Sequence, residues 1–424
     1  MNQNLKEKNY EQIIEKAKYC LHCKNKPCSK ACPLSNNIPE FIEHIKNENI
    51  DKAYKVLSET TIFEPICGRI CPHENQCEGS CVRGIKGQSV TIGKLEAFVG
   101  DYVLDSKFKN NDICKFNGEK IAIIGSGPAG LAASYLLSNN GYIVDIYEKH
   151  SKLGGLLRYG IPEFRLEKSL LDKWLEKFIL NENIKVHTNM EFGRDIDLEE
   201  LKKEYNAIIL AFGANISNKM NIPGEDKEFV LGGNELLEYK NMPDFTGKNV
   251  VINGGGNVAI DSAREIKRLG ASKVTIVYRR SENEMPAERK EIDQAKKEGI
   301  EFLFQTNIMK ILDNQIECIK TELIEKEGEK RKVPVNIEGS NFYIEIDYVV
   351  MAIGSHPNNN IINKLGLKTN KWGYIDVDEK YKTSDNKIYA IGDIAGVKQT
   401  VAWAARSGFN CAKDMPLGTQ INGN

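Results

Sequence analysis

Eight cysteines in the N-terminal quarter of this chain form two groups with short internal spacing. Closely spaced thiolates next to a Cys-Pro step are typical of iron–sulfur ligation, because each cluster needs four soft ligands. Zinc is the alternative, since four-cysteine zinc sites also use Cys-x2-Cys, but the Cys-Pro steps favour iron. The first group is Cys20, Cys23, Cys28 and Cys32, followed by Pro33, and the second is Cys67, Cys71, Cys77 and Cys81, with Pro72 after Cys71.

A glycine-rich segment at residues 120–130, KIAIIGSGPAG, predicts a strand, a tight turn and a helix that bind a dinucleotide. Its first glycine permits the turn, its second admits a pyrophosphate, and its third lets the helix pack against the strand. The helix N-terminus adds free N–H groups for the phosphates. A carboxylate about twenty residues further on would bind ribose hydroxyls. The residues assigned to this FAD site are Gly125, Gly127, Pro128, Gly130 and Glu148.

Other glycines and one acid are predicted to complete the flavin site. Gly154 and Gly155 would let the backbone lie against a planar ligand, although an ordinary glycine turn explains them better when they are taken alone. Gly392-Asp393 follows a short apolar strand, where the acid would bind ribityl hydroxyls. The helix that begins near Thr400 would direct its N-terminus at the polar edge of the flavin ring. The remaining residues assigned to cofactor binding are Arg158, Gly213 and Gly354.

A second strand–turn–helix motif at residues 248–269 predicts a domain that binds a nicotinamide nucleotide. The strand that follows it, at residues 273–278, ends in Arg279-Arg280 instead of an acid. A carboxylate would suit a free ribose 2′-hydroxyl, whereas guanidinium groups pair with a 2′-phosphate. This position favours NADPH over NADH, with a solvated basic pair as the alternative. Small or polar residues of the motif that we assign to the cofactor are Gly254, Gly256, Asn257 and Ala259.

The composition is that of an ordinary globular protein, with 41% hydrophobic and 28% charged residues. A net charge of -1 gives no indication of a nucleic-acid or anionic-membrane partner. The polar N-terminus lacks the apolar core of a signal peptide, and no apolar run is long enough to span a membrane. We therefore expect a cytoplasmic protein whose clustered cysteines bind metal and do not form disulfides.

The order of the motifs predicts an α/β chain in which one nucleotide domain is inserted into another. Apolar residues at helical spacing predict helices at 39–47, 50–58 and 92–104 in the cysteine-rich region. The expected domains are a helical domain with two 4Fe–4S clusters at residues 1–115, the first half of an FAD domain at 116–235, an inserted NAD(P) domain at 236–350, and the second half of the FAD domain at 351–424.

The chain resembles the small subunit of bacterial glutamate synthase and the related FAD/NAD(P) chains of dihydropyrimidine dehydrogenase and of NADH-dependent ferredoxin–NADP reductase. The resemblance covers about residues 15–408. It implies two doubly wound Rossmann-like domains behind a helical iron–sulfur domain, with FAD, NADPH and two 4Fe–4S clusters as cofactors. The matching segments are residues 20–33, 67–72, 125–130, 154–166, 254–261, 278–280 and 391–393.

The resemblance also implies how the cluster ligands divide, because nine candidates compete for eight positions. One cluster takes three cysteines of the first group and the last of the second. The other takes a glutamate from the helix at residues 92–104, which leaves Cys67 as an unligated buried thiol. In the alternative, Cys67 takes the ligand position that is assigned here to Glu96. The implied sets are Cys20, Cys23, Cys28 and Cys81, and Cys32, Cys71, Cys77 and Glu96.

The activity that the resemblance implies is electron transfer from NADPH through FAD and the clusters to a partner. The partner would be the large chain of glutamate synthase, or a ferredoxin or a pyrimidine-reducing chain in the runner-up hypothesis. No general acid or base is nominated, since hydride transfer needs none. A zinc-bearing, non-catalytic nucleotide-binding module is the alternative from another class of protein.

Overall fold

The structure is a computed structural model that describes residues 3–106, 114–238, 242–329 and 331–415. It divides into two compact units. The first unit is built from the chain up to Arg158, from Glu163–Gly213 and from Asn359 onward, and the second from Tyr159–Pro162 and Ala214–Asn358. The domain limits expected at residues 115, 235 and 350 stay predictions.

The N-terminal part of the first unit is helical, and apolar residues of its helices form its core. Phe41, Ile45 and Leu57 are fully buried there. The helices expected at 39–47, 50–58 and 92–104 are present to within one residue at each end. The six helices are α1 (Gln3–Lys18), α2 (Pro27–Ala31), α3 (Ile38–Lys46), α4 (Ile50–Ser58), α5 (Glu64–Ile70) and α6 (Ile92–Asp105).

The next segment builds most of a parallel sheet. Its central strands are largely apolar runs with buried side chains, whereas the edge strand at residues 184–188 is partly exposed. A π-helical turn at Leu175–Ile179 continues its third helix. The elements are β1 (Lys120–Ile124), α7 (Pro128–Asn139), β2 (Ile143–Glu148), α8 (Leu156–Tyr159), α9 (Lys168–Trp174), β3 (Ile184–Thr188), α10 (Leu198–Glu204) and β4 (Ala207–Leu210).

The second unit holds another five-stranded parallel sheet, of order β6-β14-β7-β8-β9, and an antiparallel group in which β11 pairs with β10, β12 and β13. The antiparallel group was not expected from the sequence. Its elements are β5 (Ile216–Ser217), β6 (Val230–Gly232), α11 (Gly233–Glu238), β7 (Asn249–Asn253), α12 (Asn257–Arg268), β8 (Lys273–Tyr278), α13 (Arg289–Lys297), β9 (Glu301–Phe304), β10 (Thr306–Ile311), β11 (Gln315–Ile324), β12 (Val333–Asn336), β13 (Phe342–Glu345), β14 (Tyr348–Met351) and β15 (Ser355–His356).

The chain then returns to the first unit through α14 (Asn359–Lys364), β16 (Ile388–Ala390) and α15 (Val401–Asp414). Strand β16 completes the first sheet, whose order is β16-β4-β1-β2-β3 with every pair parallel. Helix α15 packs tightly on α7, since a Cβ at Gly408 would lie 2.2 Å from the Ala129 carbonyl oxygen. The close approach explains why a glycine occupies the middle of α15.

A buried tryptophan contributes to the contact between the helical part of the first unit and its parallel-sheet part. The Trp174 Nε1–H donates to the Ile62 carbonyl oxygen at 2.6 Å, and the side chain is fully buried. The Phe63 ring lies 4.7 Å from the Trp174 ring and 6.2 Å from that of Phe409, between centroids. Aromatic contacts of this kind add to the free energy of area burial. These contacts fix where the cysteines lie relative to the sheet.

A buried acid next to this interface has no hydrogen-bonding partner. Glu64 is the first residue of α5, has no exposed surface, and neither of its carboxylate oxygens accepts a hydrogen bond from the described residues. Burial, and to a lesser degree the charge of Glu96, raises the pKa of Glu64 well above its ordinary value of 4.5. Burial therefore favours the protonated form of this acid in the folded protein.

Replacing this acid is expected to stabilise the protein increasingly as the pH rises. Because the folded pKa of Glu64 lies above its unfolded pKa, its contribution to stability is complete below about pH 4.5 and is lost as the pH rises toward the folded pKa. Glu64→Gln removes that loss. The free energy of unfolding of Glu64→Gln minus that of the wild type should therefore be roughly 1–3 kcal/mol larger at pH 8 than at pH 5. Thermal midpoints measured over this range, with exposed Glu59→Gln as the control, test it. Parallel curves for the wild type and Glu64→Gln would contradict it.

Candidate functional site

The predicted FAD loop follows β1 and begins α7, as the glycine motif requires. The Gly125 N–H donates to the Tyr147 carbonyl oxygen at 2.8 Å, which closes the loop on β2. A Cβ at Gly130 would lie 2.1 Å from the Gly125 carbonyl oxygen, so only glycine fits where the helix meets the turn. A Cβ at Gly127 would meet nothing within 4 Å. The open space beside Gly127, at the N-terminus of α7, is the shape that a pyrophosphate needs.

Glu148 is buried and holds the loop from the end of β2. Its Oε2 accepts hydrogen bonds from the Ser126 backbone N–H at 3.1 Å and from the Ser126 hydroxyl at 2.5 Å, and its Oε1 accepts from the His150 N–H at 2.9 Å. The Ser126 hydroxyl oxygen also accepts from the Gly154 N–H at 3.0 Å. Ser126 therefore joins three loop segments, a role that sequence reasoning missed although the residue lies inside the motif.

The Gly154-Gly155 segment lies directly on the FAD loop. A Cβ at Gly155 would be 2.6 Å from the Gly127 Cα, so the two loops touch through their backbones. The Arg158 Nε–H donates to the Leu153 carbonyl oxygen at 2.7 Å, and its guanidinium pairs with Asp172. These bonds shape the loop, and a direct contact between Arg158 and the cofactor stays a prediction.

Asp393, in the turn that follows β16, has a buried carboxylate oxygen without a hydrogen-bonding partner among the described residues. Burial raises the pKa of Asp393 to about 7, and its Oδ1 has no hydrogen-bonding partner in the described part of the chain. The residue lies between β16 and α15, and Thr400 caps α15 through its hydroxyl oxygen, which accepts from the Trp403 N–H at 3.4 Å. A ribityl hydroxyl would satisfy the buried oxygen, so this arrangement fits FAD. Gly213 follows β4 on the same sheet.

The second glycine motif has the same construction in the other unit. A Cβ at Gly256 would meet nothing within 4 Å, which reproduces the open space beside Gly127. Asn257 uses its side-chain oxygen to accept from the Glu288 N–H at 3.1 Å, and the Ala287 N–H donates to the Gly255 carbonyl oxygen at 3.1 Å. The segment at residues 285–288 thus braces the loop. The remaining assigned residues of this motif are Gly254 and Ala259, and Gly354 follows β14.

Arg279 and Arg280 directly follow β8, the strand after this motif. The Arg279 side chain is exposed and, among the described residues, makes no hydrogen bond or ion pair. The Arg280 Nε–H makes one long hydrogen bond of 3.4 Å, to the Lys332 carbonyl oxygen. Both guanidinium groups therefore retain donors that a phosphate could use.

The structure brings Cys20, Cys23, Cys28 and Cys81 together around one pocket. Burial raises the pKa of the Cys20 thiol, and the nearby Cys23 and Cys81 thiols raise it further. Burial likewise raises the pKa of Cys28, with contributions from Cys20 and Cys81. A cysteine distant in sequence, Cys81, therefore lies with three from the first group, and their role as the ligands of one cluster stays a prediction.

The other predicted set is also assembled in space. Burial is the main cause that raises the pKa of the Cys77 thiol. The charges of Glu96, Cys32 and Cys71 raise it further, because these groups lie near Cys77. Burial raises the pKa of Glu96 to about 8. Cys67 lies beside them, where a hydrogen bond with Cys71 and burial raise its pKa.

Two residues that sequence reasoning missed hold Glu96 in place. The Asn36 side-chain N–H donates to Glu96 Oε1 at 3.2 Å, and the Thr60 hydroxyl donates to the Asn36 side-chain oxygen at 2.7 Å. Asn36 is almost completely buried. A fixed orientation of this kind is what ligands of metal clusters require.

The donor sets fit a polynuclear cluster better than a single ion. Among the residues that the structure describes, no three Cys, His, Asp or Glu side chains converge closely enough to hold one metal ion. Four thiols line one pocket, and thiolate donors suit the iron and sulfide of a 4Fe–4S cluster.

Comparison with known families gives a match for the nucleotide-binding part of the chain and another for its cysteine-rich part. Residues 119–408 match the family described as pyridine nucleotide-disulphide oxidoreductase. The chain belongs to that family. Residues 1–108 match the family described as dihydropyrimidine dehydrogenase domain II, 4Fe-4S cluster. The chain is therefore an oxidoreductase with FAD- and pyridine-nucleotide-binding domains and an N-terminal 4Fe–4S domain.

Two relatives and one solved structure show the extent of the similarity. The glutamate synthase [NADPH] small chain of Azospirillum brasilense is 33% identical over 95% of this chain and 88% of its own length. The putative oxidoreductase AegA of Escherichia coli is 35% identical over 95% of this chain, which spans only 65% of that protein. The structure of Mycobacterium tuberculosis FprA is similar in fold, with a TM-score of 0.59 and 21% identity over 70% of this chain and 83% of that one.

Two further observations complete the description of this oxidoreductase. In the second unit, residues 214–358 contain a single cysteine, Cys318, which is fully buried in β11. A pair of thiols that could receive electrons as a disulfide therefore cannot come from this segment. In the described part of the chain, every helix is too short or too polar to cross a bilayer.

Proposed function

We propose that this chain is the NADPH-oxidising small subunit of a glutamate synthase-type complex and that it delivers electrons to a larger partner chain. FAD, when bound, takes hydride from NADPH and releases electrons singly, and the two 4Fe–4S clusters accept them. The similarity to a glutamate synthase small chain over nearly its whole length supports this assignment. Arg279 and Arg280 support NADPH as the donor, since they can pair with a 2′-phosphate.

The observation that carries the proposal is the connection made by α15. This helix begins at Val401, with Thr400 as its N-cap, a short way along the chain from Asp393 of the proposed FAD site. Further along it, the Arg406 guanidinium donates to the Pro33 carbonyl oxygen at 2.6 Å. Pro33 follows Cys32, a residue of the Glu96 ligand set. One helix therefore connects the proposed flavin site to that set.

The expected result for the purified chain is electron transfer without glutamate synthesis. After anaerobic reconstitution with iron, sulfide and FAD, it should reduce ferricyanide with NADPH and contain about eight irons. It should form no glutamate from glutamine and 2-oxoglutarate until a glutamate synthase large chain is added. Glutamate formation by the lone chain, or zinc in place of iron, would contradict the proposal.

A ferredoxin-linked oxidoreductase is the second candidate. The similarity to AegA, which is named a putative oxidoreductase and not a synthase subunit, supports considering a different electron acceptor. Reduction of a ferredoxin by NADPH, combined with no stimulation of glutamate synthesis by the large chain, would select this candidate.

A further inference from the structure

The pocket of the Cys20 ligand set reaches a surface of exposed apolar side chains. Leu21 and Val82, each next to a ligand cysteine, line that pocket and are 50% and 38% exposed. Ile85 is 78% exposed one turn further on. Isolated exposed apolar residues need no explanation, but several around one redox site indicate a contact surface.

One arginine joins the two segments that form this surface. The Arg83 Nε–H donates to the Tyr19 carbonyl oxygen at 2.9 Å, and the Arg83 guanidinium lies 4.2 Å from the centroid of the Tyr19 ring. Tyr19 is itself 39% exposed. We call the surface formed by Tyr19, Leu21, Val82, Arg83 and Ile85, with the flanking lysines, the Leu21 patch.

The Leu21 patch is surrounded by positive charge in a chain that is close to neutral overall. Residues 18–30 and 81–88 contain no Asp or Glu. Among the described acids near its edge, Glu15 pairs with Lys18 at 2.6 Å, Glu43 lies 3.8 Å from His22, and Glu11 lines a pocket with Tyr19. The cations of the two segments are Lys18, Lys24, Lys26, Lys30, Arg83 and Lys86.

We propose that the Leu21 patch is the docking surface for the electron-accepting protein, and that this acceptor presents carboxylates around an apolar centre. The inference rests on the proposed function, because it assigns the partner of the Cys20 ligand set. An apolar centre supplies affinity when it is buried, and complementary charge raises the rate of association and fixes orientation. An acceptor seated here would contact Leu21 and Val82, which also line the Cys20 pocket.

The test uses the reconstituted holoprotein and two surface variants. Lys24→Glu/Lys86→Glu reverses charge, and Ile85→Glu removes apolar surface; neither change touches a ligand. Each variant should keep its cluster content and its NADPH–ferricyanide activity. Each should raise the KM for the glutamate synthase large chain, or for an acidic ferredoxin, by about tenfold or more. Added salt should raise the KM of the wild type and have less effect on the charge-reversed variant.

Matched controls lie in the second unit. Lys326→Glu reverses the charge of an exposed lysine, and Tyr343→Glu replaces an exposed apolar side chain. Both variants should leave every rate unchanged. A basic cytochrome c serves as an acceptor of the opposite charge. The charge-reversed variant should reduce it no more slowly than the wild type does. If ferricyanide reduction is intact but the KM for both acidic acceptors is unchanged in the variants, the docking proposal is wrong. If the wild type fails to reduce ferricyanide with NADPH, the proposed function itself is wrong.

Discussion

Glu96→Ala is expected to leave the reconstituted chain with about four of its roughly eight irons, because it removes one ligand of a single cluster. The Glu96 carboxylate lies among Cys32, Cys71 and Cys77, and it is held there by Asn36. A set reduced to three thiols cannot complete the coordination of a 4Fe–4S cluster unless another donor replaces the carboxylate. The Cys20 set contains no group that this change touches, so its cluster should remain.

Iron and sulfide analysis, combined with electron paramagnetic resonance of the dithionite-reduced protein, measures this result. The matched control is Cys67→Ser, which alters the neighbouring thiol and should leave both clusters in place. Full iron content in Glu96→Ala together with a cluster lost in Cys67→Ser would assign the fourth ligand position to Cys67. Asn36→Ala should retain the cluster with a changed spectrum, because it removes only the orienting hydrogen bond.

Neutral residues in place of Arg279 and Arg280 are expected to lower kcat/KM for NADPH at least tenfold and leave NADH use nearly unchanged. Each charge-assisted hydrogen bond to the 2′-phosphate contributes roughly 1.5–3 kcal/mol, and 1.4 kcal/mol corresponds to about a factor of ten. NADH has no phosphate at that position and so loses nothing. The two positions also differ in their surroundings, since only the Arg280 side chain makes a hydrogen bond within the described chain.

Steady-state rates of ferricyanide reduction with NADPH and NADH, for Arg279→Ser/Arg280→Ser and for each single variant, test this prediction. Lys273→Gln is the matched control, because it removes a cation from the opposite end of β8, where Lys273 pairs with Glu301 at 3.1 Å. Equal use of NADPH and NADH by the wild type would overturn the assignment of the arginines.

The sequence by itself determined the chemistry that local spacing encodes. The two glycine motifs predicted the strand–turn–helix units that form at Gly125 and Gly254, because a dinucleotide loop needs only a few consecutive residues. The cysteine spacing predicted iron–sulfur ligation, and the apolar periodicity predicted the helices at Ile38, Ile50 and Ile92 to within a residue. Each of these features depends on neighbours in the chain.

Only the tertiary structure decided which groups meet across long stretches of chain. Cysteine spacing alone did not determine which residue completes the set of Cys20, Cys23 and Cys28. Packing brings Cys81 to their pocket. Asn36 reaches Glu96, sixty residues away, only because α3 and α5 both pack against α6, which carries Glu96. The role of Trp174, which contacts Ile62 across 112 residues, has no sequence signal for the same reason. Such contacts are set by the shape of buried surfaces, and shape is a property of the folded chain.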